Sequence, residues 1–214
     1  MKGKKIASIN VDPQKGFTPL CPDELPVPCG HEIVPDLLAQ NALAEVLVGS
    51  SDAHSEHALF KVETTEEQFQ PLDYENTDCT FKMHCKPGTK GFELLDGLPA
   101  PTEYDYFVWK GVSPDLHPYG ACYHDLKETL STGVIEYLQC AGVSDVVVGG
   151  LATDFCVATT AKQLAKTGKF KVVLNLEASR GISAEETESQ ILEMQNMGVV
   201  IAQNLAQVKA ALGQ

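Results

Sequence analysis

Positive charge is scarce in this chain of 214 residues, where 16 lysines and arginines face 29 aspartates and glutamates for a net charge of −13. A nucleic-acid partner requires a basic face, so this balance argues against that class. Long apolar runs are also missing, and none approaches the roughly 20 residues of a membrane-spanning helix. The lysines at the start are followed by no long apolar region, because Asp12 and Pro13 end it early, and no signal peptide is expected. There is no CxxC pair, which argues against a thiolate zinc site. No internal repeat and no glycine-rich phosphate fingerprint occur. The seven cysteines are an odd number, which reads as cytosolic thiols and a cytoplasmic location rather than a disulfide framework. Cys21 and Cys29 flank a proline-rich loop and could pair, but nothing requires it. The remainder is globular, with 43% hydrophobic and 21% charged residues and a length suited to one domain, 1–214.

Apolar runs and helical periodicities alternate along the chain. Strands are expected at 4–12, 46–52, 106–110, 146–150, 171–176 and 198–202. Helices are expected at 33–44, 125–139, 156–166, 184–197 and 205–212, with Gly142 closing the second. The acidic stretch 61–78 has no periodicity and reads as a loop excursion. This alternation predicts a three-layer α/β/α fold with a mostly parallel sheet of about six strands.

The chemistry gathers at the predicted strand ends. The run Val146-Val147-Val148-Gly149-Gly150 leads through a short turn to Cys156, at the carboxyl edge where open α/β sheets hold their ligands. A helix N-terminus there would favour a thiolate. The competing reading is a buried cysteine packed as a small apolar residue. Asp12 ends the first strand and Lys110 the third; alone, either is an ordinary turn or surface residue. Together with Cys156 they supply a base, a cation and a nucleophile. Asp52 and His54 share one face of a strand end and could hold a metal ion, or form a solvated loop. His84 is a third candidate ligand, and His57 is either a fourth or a solvated loop histidine.

These pieces resemble the isochorismatase-like cysteine hydrolases, and within them the nicotinamidases. The resemblance is carried by Asp12-Pro13-Gln14-Lys15-Gly16-Phe17, Asp52-Ala53-His54, Phe81-Lys82-Met83-His84-Cys85, Lys110-Gly111 and Gly150-Leu151-Ala152-Thr153-Asp154-Phe155-Cys156-Val157. It runs from about residue 4 to the last helix. It implies that Cys156 attacks an amide carbon, that Asp12 moves the proton, and that Lys110 holds the pair and lowers the thiol pKa. It implies an oxyanion hole from the N–H groups of Ala152 and Cys156, next to a cis Leu151–Ala152 peptide. Asp52, His54 and His84 would bind one divalent metal ion, zinc first, with iron and manganese also suited, and the ion would orient the pyridine nitrogen. Phe17 and Phe81 would flank the substrate ring, with Gln14 among the substrate-binding residues. Segment 114–124, rich in His and Tyr, departs from the family's usual pattern.

The implied activity is metal-dependent hydrolysis of nicotinamide to nicotinate and ammonia through a thioester, in NAD salvage, with pyrazinamide as a second substrate. The alternatives are another small-molecule amidase of the same family, or a non-catalytic binding module. The module reading would be signalled by loss of Asp12, Lys110 or Cys156, and none is lost. The oligomeric state is left open, a homo-oligomer included.

Overall fold

β-branched runs with no polar face make poor surface strands, and they form the interior of a parallel sheet. The computed structural model describes residues 4–214. Met1, Lys2 and Gly3, on which part of the signal-peptide expectation rests, lie outside the described residues. The first strand, β1 (Ile6–Val11), is buried throughout. A loop with two short 3-10 turns leads to α1 (Val34–Asn41) and then to β2 (Val46–Asp52). The excursion that follows contains β3 (Lys61–Val62), β4 (Pro71–Tyr74), β5 (Thr77–Cys79) and β6 (Phe81–Lys82), with β3 parallel to β6 and β4 antiparallel to β5. Stretch 61–78, expected as a plain loop, is therefore tied down by two small ribbons. The chain continues through β7 (Tyr106–Lys110), α2 (Val134–Cys140), β8 (Asp145–Leu151), α3 (Ala158–Lys166), β9 (Lys171–Arg180), α4 (Ala184–Asn196), β10 (Val200–Ala202) and α5 (Leu205–Leu212).

Six strands pair in the order β10-β9-β8-β1-β2-β7, all in parallel. The chain leaves β1 toward β2 and β7 on one side and returns to β8 on the other. The strand order thus reverses between β1 and β8, the position at which open α/β sheets form a binding crevice. One face packs Ile9, Val146, Val148 and Leu174 against α2, α3 and Met194 of α4. The other packs Ile6, Val147 and Val173 against Val208 and Leu212 of α5. These are the three layers expected.

Two helices differ from the periodicity. Residues 125–133 are not helical: the Asp125 carboxylate accepts the N–H groups of Thr129 and Leu130, at 2.9 and 2.8 Å, and closes a turn instead. Helix α2 starts only after Gly133, whose φ of 89° breaks the chain direction. Cys156 does not open a regular helix either. Residues Thr153–Val157 form one π-helical turn, with the N–H groups of Phe155 and Val157 both donating to Ala152 O.

Candidate active site at the carboxyl edge of the sheet

Strand register brings the charged residues together. Val11 pairs with Gly150, and Asp52 pairs with Lys110. The close approach of β1 and β8 requires glycine at 150, since a Cβ there would lie 2.0 Å from Val11 O. Asp12 follows Val11 with a left-handed φ of 45°, a conformation disfavoured for a residue with a side chain, which turns its carboxylate out of the strand.

Lys110 is fully buried between two carboxylates, with Nζ 2.8 Å from Asp12 Oδ2 and 3.0 Å from Asp52 Oδ1. It also donates to Tyr119 O at 2.7 Å and stands 3.7 Å from Cys156 Sγ. Ser50 Oγ donates to Asp12 Oδ1 at 2.6 Å. Burial alone would lower the lysine, but the two carboxylates overcome it and hold the ammonium charged, well above the usual range. Burial pushes the Asp12 carboxyl up to about 6, against the pull of Lys110. Burial acts in the same direction on Asp52, but the Lys110 ammonium and the His54 imidazole hold it well below the usual carboxylate range.

Cys156 is 6% exposed, and its Sγ lies within 4.8 Å of ligand oxygens of Asp12 and Asp52. The thiolate expected from the sequence is not the resting form. Burial raises the thiol well above its usual range, Lys110 pulls it down, and the Asp12 and Asp52 carboxylates push it up. The resting site is a thiol beside a carboxylate poised to take its proton. The Leu151–Ala152 peptide is cis, and both Ala152 and Cys156 line the adjoining cleft.

A group of histidines adjoins these residues. His54 is fully buried, and neither ring nitrogen has a hydrogen-bond partner; Nε2 stands 3.4 Å from Asp52 Oδ2. His84 places Nδ1 2.7 Å from Lys82 O, which can only accept, so Nδ1 carries the proton and Nε2 keeps a free lone pair. His117 joins them: one ring nitrogen from each of His54, His84 and His117 lies within 4.8 Å of the other two. Burial holds His84 down to about 3 and His117 well below its usual range, so both stay neutral. Buried nitrogens without partners cost about 1–3 kcal/mol each. A divalent cation would satisfy them, and nitrogens with one adjacent carboxylate suit zinc, iron or manganese. The residues fit a metal ion.

A narrow cleft adjoins these residues. Phe17, Phe81, Tyr119 and Phe155 form its walls, and His84 and Cys156 reach its interior. Sequence reasoning singled out Phe17 and Phe81 but missed Tyr119, Phe155 and His117, and also Ser50 behind Asp12. His117 had a signal in the histidine-rich departure at 114–124. Gln14, expected among the substrate-binding residues, stands behind the cleft lining rather than in it. Its Nε2 donates to Asp52 O and Phe92 O at 2.9 and 3.0 Å, and its Oε1 accepts from Asp52 N at 2.7 Å. All its polar atoms are spent on holding the backbone of Asp52. His57 is exposed and stands outside the histidine group.

A family model for the isochorismatase domain matches residues 7–204. The chain belongs to the isochorismatase family. Within the isochorismatase family it is similar to a nicotinamidase of Acinetobacter baylyi, 31% identical over 185 residues that cover 85% of this chain and 84% of the relative. Its fold is similar to that of a nicotinamidase and pyrazinamidase of Acinetobacter baumanii, at 30% identity and a TM-score of 0.81, covering 95% of this chain and 98% of the other. A pyrazinamidase of Pyrococcus horikoshii, solved in complex with zinc, is 29% identical with a TM-score of 0.71, covering 93% of this chain and 99% of the other. For an isochorismatase-family chain, the charged residues, the histidine group and the aromatic cleft thus meet at one sheet edge.

Proposed function

We propose that this protein is an amidohydrolase that converts nicotinamide to nicotinate and ammonia, with pyrazinamide as a second substrate. The observation that carries the reading is the buried Asp12–Lys110–Cys156 arrangement at the strand reversal, opening into an aromatic cleft beside a group of unpartnered histidines. The nicotinamidase relatives support the substrate.

Asp12 takes the proton from the Cys156 thiol as Sγ attacks the amide carbon. The electron pair of the C=O moves to oxygen, where the backbone N–H groups of Ala152 and Cys156 would stabilise it. The tetrahedral adduct collapses, the C–N bond breaks, and Asp12 returns the proton to the departing nitrogen, which leaves as ammonia. Water then attacks the thioester and gives one proton to Asp12; the C–S bond breaks, Asp12 passes that proton to the departing sulfur to restore the thiol, and the acid formed loses its remaining proton to solvent and leaves as nicotinate. Lys110 keeps Asp12 ionised despite its burial and fixes it beside the sulfur. Phe17 and Phe81 would sandwich the ring. Asp52, His54 and His84 would hold a divalent ion, for which we propose zinc. Such an ion would supply Lewis acidity toward the pyridine nitrogen. The product would feed NAD salvage. Unpaired cysteines throughout support a reducing compartment, the cytoplasm.

The test is ammonia release from nicotinamide by purified protein, before and after chelation and metal return. Release that falls with the chelator and recovers with zinc supports the reading. No release from folded, zinc-loaded protein moves the search to other small amides.

A further inference from the structure

His117 is delivered to the histidine group by an irregular loop after β7, and that loop is fastened from outside. The His117 N–H donates to Asn76 O at 2.8 Å, Thr77 Oγ1 donates to Asp115 O at 3.1 Å, and Tyr119 OH donates to Asp78 Oδ1 at 2.7 Å. All three partners lie on or beside the β4–β5 hairpin. The ring is 4% exposed and its Nδ1 has no hydrogen-bond partner. It stacks on Phe81 at 4.9 Å between centroids and on His54 at 5.1 Å, with Phe60 at 4.5 Å. A histidine kept for packing alone normally places its buried nitrogen against a hydroxyl or a carbonyl. Here the ring instead brings a nitrogen within 4.8 Å of nitrogens on two other histidines.

We propose that His117 is a further protein ligand of the divalent ion, joining Asp52, His54 and His84. The proposal rests on the metal-site reading given above and adds a donor from a different element. Three imidazoles and one carboxylate select for zinc, cobalt or nickel over magnesium or calcium. The same loop carries Pro118 and Tyr119, whose carbonyls stand 3.4 and 2.7 Å from Lys110 Nζ. A ligand bond through His117 therefore also fixes the carbonyls that seat Lys110, coupling metal occupancy to the position of the buried lysine.

The experiment uses metal-stripped full-length protein and the variants His117→Ala, His117→Phe and His54→Ala. Zinc affinity is measured by competition with a chromogenic chelator, and cobalt(II) coordination by its visible absorption. Circular dichroism reports whether each variant folds. His117→Phe keeps a ring against Phe60 and Phe81 and removes only the nitrogens, so it decides the question if the alanine variant fails to fold. The expected result is at least about a tenfold loss of zinc affinity and an altered cobalt spectrum in both His117 variants. Zinc should also slow hydrogen exchange in segment 115–120 of the native protein but not of His117→Phe. Native affinity and spectrum in His117→Phe, with loss in His54→Ala, would make His117 a wall of the cleft and overturn the proposal alone. Native affinity in His54→Ala as well would overturn the metal site itself.

Discussion

Replacing Lys110 by methionine keeps much of the stem length and removes the ammonium, which leaves Asp12 and Asp52 buried without their common cation. Breaking a buried ion pair from one side costs about 3–5 kcal/mol. Urea unfolding of Lys110→Met at pH 7 should show a loss of that order together with loss of turnover; a loss below about 1 kcal/mol would contradict the charge arrangement. Cys156→Ala removes the proposed nucleophile and little else, so turnover should vanish while the fold and zinc content stay native. Appreciable residual ammonia release in that variant would rule out the covalent route. As the proposed base, Asp12 should set the acid limb of the rate profile. Its carboxyl is raised from its ordinary 3.8 to about 6, so kcat/KM should fall as pH drops through about 6, where the base becomes protonated. The sign for stability is opposite. A raised carboxyl favours the folded state fully below 3.8, and that contribution is lost as pH rises through about 6. An acid limb centred near 4 would show that Asp12 is not the titrating base. At this scale Asp12, Lys110 and Cys156 were legible because each is a reactive residue type ending an apolar run. The protonation state of Cys156 was not, because it depends on burial that the sequence does not display.

The turn carrying Cys156 is held at both ends. Gly150 precedes it with a φ of 136°, and Asp154 within it accepts the N–H groups of Ile182 and Ser183 at 3.0 and 2.8 Å. Asp154→Ala leaves those two donors unpaired and frees Ile182, which lines the cleft, so KM should rise more than kcat falls. Equal kcat and KM effects would mean that the carboxylate acts on the nucleophile turn rather than on the cleft rim. Gly111 has the same close fit on the metal side, with a φ of 64° and a Cβ position 2.4 Å from His54 Nδ1. Gly111→Ala should therefore lower zinc affinity, and unchanged affinity would show that His54 can move freely. The strands were legible because their side chains are apolar on both faces. Segment 125–133 was misread because its leucines fall at helical spacing while the Asp125 carboxylate satisfies the backbone as a turn. Strand β9 reaches Arg180, beyond the expected end at 176, through the register shift opposite Val148 and Gly150. Its last residues are polar, and pattern alone gave no reason to extend it.

Across the molecule, the proposed ligand residues come from the end of β2, from the turn after β6 and from the loop after β7, so an ion there would tie together segments distant in sequence. Binding that favours the folded state stabilises it by about 2.7 kcal/mol at a hundredfold excess over the dissociation constant. For a chain of this size that corresponds to roughly 5–10 °C in melting temperature. Chelation should lower Tm by that order, and zinc should restore it; an unchanged Tm on chelation would show that the three segments are held by packing alone. The order β10-β9-β8-β1-β2-β7 puts the reversal beside Asp12, which is why residues separated by more than 140 positions meet at one point.

The sequence by itself determined the α/β alternation, the parallel sheet and the residue types at its carboxyl edge, because apolar periodicity and strand ends are local properties. It also determined the acidic charge balance, which is a sum over residues. Tertiary structure alone decided which polar atoms are left without partners. It spent Gln14 on the backbone of Asp52, left His57 outside, brought His117 in and kept Cys156 a thiol, since hydrogen-bond satisfaction and desolvation depend on neighbours that only the folded chain supplies.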